Sequence, residues 1–298
     1  MYAIGLCFDE NYVLPGMVTI MSAAHSIPAG DRKSIAIRVI THDLTRPHAD
    51  AVATVSRALG FGAFDVRWCR LDERYEDCRT KELAHITATT YLRFHFDPDF
   101  VQRPYLIYLD CDLLVLDDVS SPFECLGASQ LGVVRDEFSP TVGECAALPG
   151  FVDHYPCHYG SHYFNAGALW LDTTLMPTVK DAVGAVLSGP KKRYMYYNDQ
   201  DALNIWLLER GHGRPLPGHL NRFEIDRFLE FTDWPKGVVP EIAGPRRASI
   251  LHFMGECKPW LKACPMTPGV RLYRFQMDET QRLLRRLGIK TIAVPQDN

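Results

Sequence analysis

The sequence lacks several features, and each absence removes a class of function. It has no run of 18 apolar residues, so no segment reads as a membrane-spanning helix. Its nine cysteines are scattered without a Cys-x-x-Cys pair, which leaves neither a thioredoxin-like nor a zinc motif. No Gly-x-Gly-x-x-Gly fingerprint follows the first strand-like run and no Walker A loop appears, so a bound nucleotide is not held by a glycine-rich phosphate loop. Basic charge is in deficit: 32 Lys+Arg against 36 Asp+Glu gives a formal charge of −4. A reader of duplex nucleic acid needs a basic field, and none is present. The opening Met-Tyr-Ala-Ile-Gly-Leu-Cys-Phe-Asp shows no basic stretch followed by a signal-peptide core. With an odd number of cysteines, the expectation is a reduced, cytoplasmic protein.

What is present is an ordinary globular composition, 47% hydrophobic and 23% charged, enough for one large α/β domain. Short β-rich runs alternate with helical patterns. Strands are expected at Ala3 to Phe8, Ser34 to Thr41, Phe64 to Cys69 and Tyr105 to Leu109, with helices at Met17 to His25, Ala49 to Leu59 and Ile86 to Phe96. That alternation predicts a mostly parallel, doubly wound sheet flanked by helices. Further strands are expected at Phe164 to Leu171 and Ser249 to Phe253, and helices at Asp201 to Glu209 and Asp278 to Leu287. Phe138 to His162 reads as an irregular insertion, and Gly211 to Arg247 as loops.

Ligands of such sheets bind outside the carboxyl ends of the strands. There, Tyr105-Leu-Ile-Tyr-Leu-Asp110-Cys111-Asp112-Leu-Leu-Val-Leu116 sets two carboxylates between apolar runs. Burying them without a partner would cost several kcal/mol, roughly, per ion. Carboxylate oxygens suit Mg²⁺ or Mn²⁺, which often share their coordination with substrate phosphates. A pair of turn or capping aspartates is the structural alternative, as Asp117-Asp118 is read. His154, His158 and His162 recur at four-residue spacing, but Pro156 and Gly160 break the helix that would align them.

Six blocks then occur in order: Phe8-Asp9-Glu10-Asn11-Tyr12, His85 to Arg93, Tyr108 to Asp112, Tyr163-Phe164-Asn165-Ala166-Gly167, Asn198 to Asn204, and His252 to Trp260. Together they resemble glycosyltransferase family 8, retaining enzymes of the GT-A fold that include bacterial lipooligosaccharide α-galactosyltransferases and glycogenin. The likeness runs through residues 1–262, which it implies to be the catalytic domain, with 263–298 a C-terminal extension bearing a short helix. It implies a Rossmann-like, mostly parallel sheet and a Mn²⁺ site at Asp110, Asp112 and His252, with Mg²⁺ the other hard cation that suits it. Phe8, Asp9, Asn11 and Tyr12 would bind uridine, with His85, Ile86 and Thr90 near the nucleotide and Arg93 near the sugar or diphosphate. Arg93 also reads as a structural partner for a strand-end carboxylate. Cys111 lies between the two metal aspartates. Gly255 and Lys258 would meet the diphosphate, and Asp136, Asn165 and Ala166 the donor sugar. Asp199 and Gln200 would sit beneath the anomeric carbon, although acidic residues at a helix start also serve as caps.

The resemblance implies transfer of a hexosyl group, galactose or glucose, from a UDP-sugar to an acceptor hydroxyl with retention. An amide such as Gln200 is a poor nucleophile, so same-face attack is favoured, with Asp201 the alternative nucleophile. The acceptor is expected to be a saccharide, a lipooligosaccharide or a small natural product. The arginines near residues 282–286 give no more than one weak membrane signal, and stable attachment takes more. The rival readings are a catalytically silent UDP-sugar-binding protein and a self-glucosylating protein like glycogenin.

Overall fold

Alternation along the strands sends side chains to both faces of one sheet. In β1 (Tyr2–Cys7), Ala3 and Cys7 join one core cluster while Ile4 and Leu6 join the other. In β4 (Tyr105–Leu109), Leu106 and Tyr108 divide from Ile107 and Leu109 in the same way. The computed structural model describes residues 1–76, 88–143, 147–210, 213–228 and 247–295. With β2 (Ala36–Thr41), β3 (Ala63–Trp68), β6 (Leu131–Arg135), β7 (Phe164–Asp172) and β8 (Arg214–Leu216), these strands form a seven-stranded sheet in the order β3-β2-β1-β4-β7-β6-β8. Its pairings are parallel except those of β7 with β4 and with β6. The amino end of β7 therefore shares an edge with the carboxyl ends of β1, β4 and β6.

A second sheet of three short strands, β5 (Leu113–Val115), β10 (Ile250–His252) and β9 (Arg222–Phe223), brings His252 beside the turn that follows β4. Helix α1 (Val13–Ser26) lies between the two sheets and is buried from Val13 through Ala24. The Pro268–Arg286 helix packs on α1. Its Val270 and Tyr273 share a core with Val18, Leu114, Phe253 and Trp260.

Three elements differ from the sequence reading. The segment expected to be helical up to Phe96 is a 3-10 coil over Ala88–His95, with Thr89, Tyr91, Leu92, Arg93 and Phe94 all buried; a one-faced α-helix would not bury so many neighbours. Gly211 to Arg247, read as loops, contains β8 and β9; Pro215 is accommodated because β8 is an edge strand. The terminal helix starts ten residues earlier than expected, because the Thr267 side chain accepts from Val270 N and Pro268 occupies the first turn. Among the described residues, no helix is long and apolar enough to cross a membrane.

Candidate active site

The shared sheet edge opens into a cavity of about 230 Å³. The chain turns there after β4, and the Thr19 hydroxyl of α1 lies 3.1 and 3.0 Å from the carbonyls of Cys111 and Leu113, pinning the turn on both sides of Asp112. Ligand atoms of Asp110, Asp112 and His252 all lie within 4.8 Å of one another. Lys258 Nζ donates to Asp112 Oδ2 at 2.6 Å, and His252 Nε2 lies 3.3 Å from Asp112 Oδ1. Burial alone would raise the Asp112 carboxyl, but Lys258 and His252 outweigh it and hold the group well below the usual carboxylate range. On the other flank, Asp110 Oδ1 accepts from Tyr108 OH at 2.6 Å and lies 3.1 Å from Arg93 NH2.

Gly167 closes the wall behind this triad. A Cβ there would come within 2.5 Å of His252 Cε1 and 3.0 Å of Asp110 Oδ2, so a side chain would enter the space the three ligands face. Two carboxylates and an imidazole around such a cradle are a donor set suited to a divalent cation.

Arg93 is only 4% exposed and its donors are committed. Nε lies 2.9 Å from Asp199 Oδ2 and donates to Thr90 O, NH1 donates to Ala166 O at 2.5 Å, and the guanidinium lies over the Tyr108 ring. Burial opposes its charge, yet Asp110 and Asp199 hold it firmly protonated.

The far wall is a network of amides. β6 and β7 lose register between Val133 and Val134, pairing Val133 with Leu169 but Val134 with Asn165, and the displaced stretch lines the cavity. Gln200 Oε1 accepts from Ala166 N and Asn165 Nδ2, both at 3.0 Å, and its Nε2 donates to Asp136 Oδ2 and Tyr163 OH. Asp136 Oδ1 accepts from the backbone of Phe138 and Ser139. Burial raises the Asp136 carboxyl although these bonds favour its anion. Burial also raises Asp199, against Arg93.

Residues 3–264 match the family described as Glycosyl transferase family 8. The chain belongs to that family. Among its relatives, the probable glycosyl transferase Gly of Streptococcus gordonii is 28% identical over 180 residues, covering 59% of this chain and 22% of its own length. Glycosyltransferase GlyE of Streptococcus pneumoniae is 27% identical over 188 residues, covering 61% and 39%. The chain thus spans less than half the length of these relatives. The galactosyltransferase LgtC, solved in complex with donor and acceptor sugar analogs, superposes with a TM-score of 0.72 at 21% identity, over 98% of this chain and 97% of that one. GlyE superposes with a TM-score of 0.64 at 18% identity, over 96% of this chain and 64% of that one. These likenesses share the GT-A fold.

Most of the residues expected from the family 8 blocks lie on the cavity wall: Phe8, Asp9, Tyr12, Thr90, Arg93, Asp110, Cys111, Asp112, Asp136, Asn165, Ala166, Asp199, Gln200, His252, Gly255 and Lys258. Asp9 caps the turn below, accepting from Asn11 N and Tyr12 N, while Tyr12 meets Trp260 edge-on at 5.6 Å. Asn11 is exposed and off the wall. His85 and Ile86 lie outside the described residues. Asp201 is off the wall as well: it is fully buried, its Oδ1 accepts from Tyr163 OH at 2.6 Å, and its Oδ2 accepts from Tyr196 N and Tyr197 N. Both carboxylate oxygens of the alternative nucleophile are therefore committed, Oδ1 to Tyr163 beside the start of β7 and Oδ2 to the turn leading into the Asn198–Arg210 helix.

Tyr108, Thr89, Phe138, Ser139, Tyr197 and Met254 also line the cavity, and sequence reasoning passed over them. Tyr108 had a signal, since it shares a strand face with Asp110 two residues on. Asn221, behind His252, had none.

Proposed function

We propose that this chain is a retaining transferase that moves a hexosyl group, galactose or glucose, from a UDP-sugar to an acceptor hydroxyl. The observation that carries the reading is one cavity in which Asp110, Asp112, His252 and Lys258 face an amide wall built on Gln200 and Asp136. Cation and diphosphate chemistry meets sugar chemistry there. For galactose the support is the likeness to LgtC, a galactosyltransferase of the same fold.

Asp110, Asp112 and His252 would hold Mn²⁺ or Mg²⁺. When bound, such an ion supplies Lewis-acid stabilisation of the UDP leaving group. Lys258 adds a point charge for the diphosphate, beside Gly255 where the backbone permits close approach. Tyr12 offers an aromatic face for the base, and Phe8, Asp9 and Asn11 complete the expected uridine side. Thr90 and Cys111 border the nucleotide, and His85 and Ile86 belong to the same reading. Arg93 orients Asp110 and Asp199. Asp136 and Asn165 present hydrogen-bonding groups to sugar hydroxyls.

For the displacement itself, Gln200 Oε1 already accepts two hydrogen bonds and has no lone pair to place on the anomeric carbon. Asp201 is committed to Tyr163 and to the backbone, and Asp199 to Arg93. This favours same-face attack: the bond to the UDP oxygen breaks, the acceptor oxygen bonds to the same carbon face, and the departing phosphate oxygen takes the acceptor's proton. The carbonyl of Gln200 supports positive charge on the opposite face.

Residues 1–262 would form the catalytic unit and 263–298 an extension whose Pro268–Arg286 helix packs on α1. The free thiols Cys7, Cys69 and Cys111 suit a reducing, cytoplasmic setting. The test is incubation with Mn²⁺ and individual UDP-hexoses against saccharide, lipooligosaccharide and small-molecule acceptors. UDP release with an α-linked product supports the reading. UDP binding without release under any donor favours a silent binder, and hexose mass on the protein itself favours self-glucosylation.

A further inference from the structure

We infer that Asn221 is a positioning residue that decides which nitrogen of His252 faces the cation. The inference rests on the metal reading above.

Two backbone donors in this network cannot be reversed. Gly167 N–H donates to Asn165 Oδ1 at 2.9 Å, and Ala166 N–H donates to Gln200 Oε1 at 3.0 Å. A backbone N–H only donates, so both amide oxygens are fixed and Asn165 must turn its Nδ2 toward Asp136 Oδ2 and Gln200 Oε1. Asn165 Oδ1 then receives its second hydrogen bond from Asn221 Nδ2, at 2.8 Å. That orientation leaves Asn221 Oδ1 facing His252 Nδ1 at 3.1 Å. An imidazole nitrogen opposite an amide oxygen carries the hydrogen, so the neutral ring has its lone pair on Nε2. Nε2 is the atom beside Asp112.

Asn221 is fully buried, so water cannot take over its task. It sits at the turn into β9, 31 residues before His252 and 56 after Asn165. One unbroken chain of amides thus orients the metal-ligating nitrogen at one end and the Gln200 amide at the other. Residues that orient a ligating histidine through its other nitrogen typically matter by about 10–100-fold in metal affinity.

Two measurements on the full chain test this. In the metal-free protein, held above the titration range of imidazole, ¹⁵N–¹H correlation spectra should show His252 as the Nδ1-H tautomer. Finding the Nε2-H tautomer overturns the inference whatever the enzyme's activity. Separately, Mn²⁺ binding is followed by electron paramagnetic resonance without donor. Asn221→Leu should weaken Mn²⁺ binding about 10–100-fold. Asn221→Asp keeps an acceptor for Nδ1 and should bind Mn²⁺ at least as well as wild type, while its second oxygen faces Asn165 Oδ1 and turnover falls. Equal loss in both variants means that Asn221 acts through packing, and unchanged affinity in Asn221→Leu means it does not act on the metal; either result refutes the inference. Wild-type protein that binds no Mn²⁺ while showing the Nδ1-H tautomer instead refutes the metal reading, and the role assigned to Asn221 falls with it. If Asn221→Leu does not fold, the tautomer measurement decides alone.

Discussion

Replacing Gly167 with alanine adds a single methyl group against Asp110 and His252, two of the three residues proposed to hold the cation. The added Cβ lies 2.5 Å from His252 Cε1 and 3.0 Å from Asn165 Oδ1 and Asp110 Oδ2. Carbon atoms pack at about 3.5–4.0 Å, so the imidazole must retreat by about 1 Å or more. The strand has little room to retreat in its place: Ala168 pairs with Leu109, and Gly167 O accepts from Asp110 N at 2.8 Å. Gly167 is outside the left-handed region, so alanine meets no backbone strain and the effect is steric. Overpacking of this kind costs about 1–3 kcal/mol of stability, and a displacement of about 1 Å at a reacting centre about 10²-fold in rate. Thermal melts without metal, Mn²⁺ titration and UDP release measure the three consequences. Gly30→Ala is the control, since nothing lies within 4 Å of its added Cβ. A Gly167→Ala enzyme with wild-type Mn²⁺ affinity and turnover would refute the assignment of Asp110, Asp112 and His252 as one metal site.

Other perturbations separate charge from packing. Lys258→Met leaves Asp112 buried without its cation, and the metal-free protein should lose about 3–5 kcal/mol; added Mn²⁺ should raise the melting temperature of this variant more than that of wild type. Gln200→Ala should lower turnover by about 10²-fold or more while UDP affinity by calorimetry changes little. Burial lifts the Asp201 carboxyl from 3.8 to about 6, against hydrogen bonds from Tyr163 and the backbone of Tyr196 and Tyr197. The folded state therefore binds that proton more tightly than the unfolded chain. Its stabilising contribution is complete below about pH 4 and is lost as pH rises through about 6. Relative to Asp201→Asn, wild-type stability should fall by about 3 kcal/mol across that interval, as read by denaturant titration at a series of pH values; a flat difference would show that Asp201 stays ionised.

Much of the site was legible because its residues interrupt strong local patterns. Asp110 and Asp112 stand out as charges between apolar runs, and Asn165-Ala166-Gly167 as small residues within a strand. Asp201 shows the limit of such reading. Its place beside Asp199 and Gln200 suggested a shared role, but successive residues on a helix point in different directions, and Asp201 turns inward to hold the preceding turn. The Pro268–Arg286 helix is longer than the expected Asp278 to Leu287 because Thr267-Pro268 is itself a sound helix start. Asn221 was illegible for a different reason. Its importance comes from two partners far away in sequence, and no local pattern encodes a tertiary hydrogen bond.

The reversed direction of β7 has a further consequence. Because β6 ends and β7 begins at the same edge, the segment between them leaves and re-enters the sheet at the rim of the cavity. Its two ends are clipped together, with Asp136 N donating to Tyr163 O at 3.0 Å and Thr141 bridged to His162. Part of the segment is anchored as well: Ala147, Leu148 and Phe151 are buried in the core, with Phe151 edge-on to Tyr194 at 5.4 Å. The edge of the sheet that carries Asp136 and Asn165 is therefore closed on itself by hydrogen bonds of its own, so the position of these two residues at the cavity is set by the sheet and the clip together.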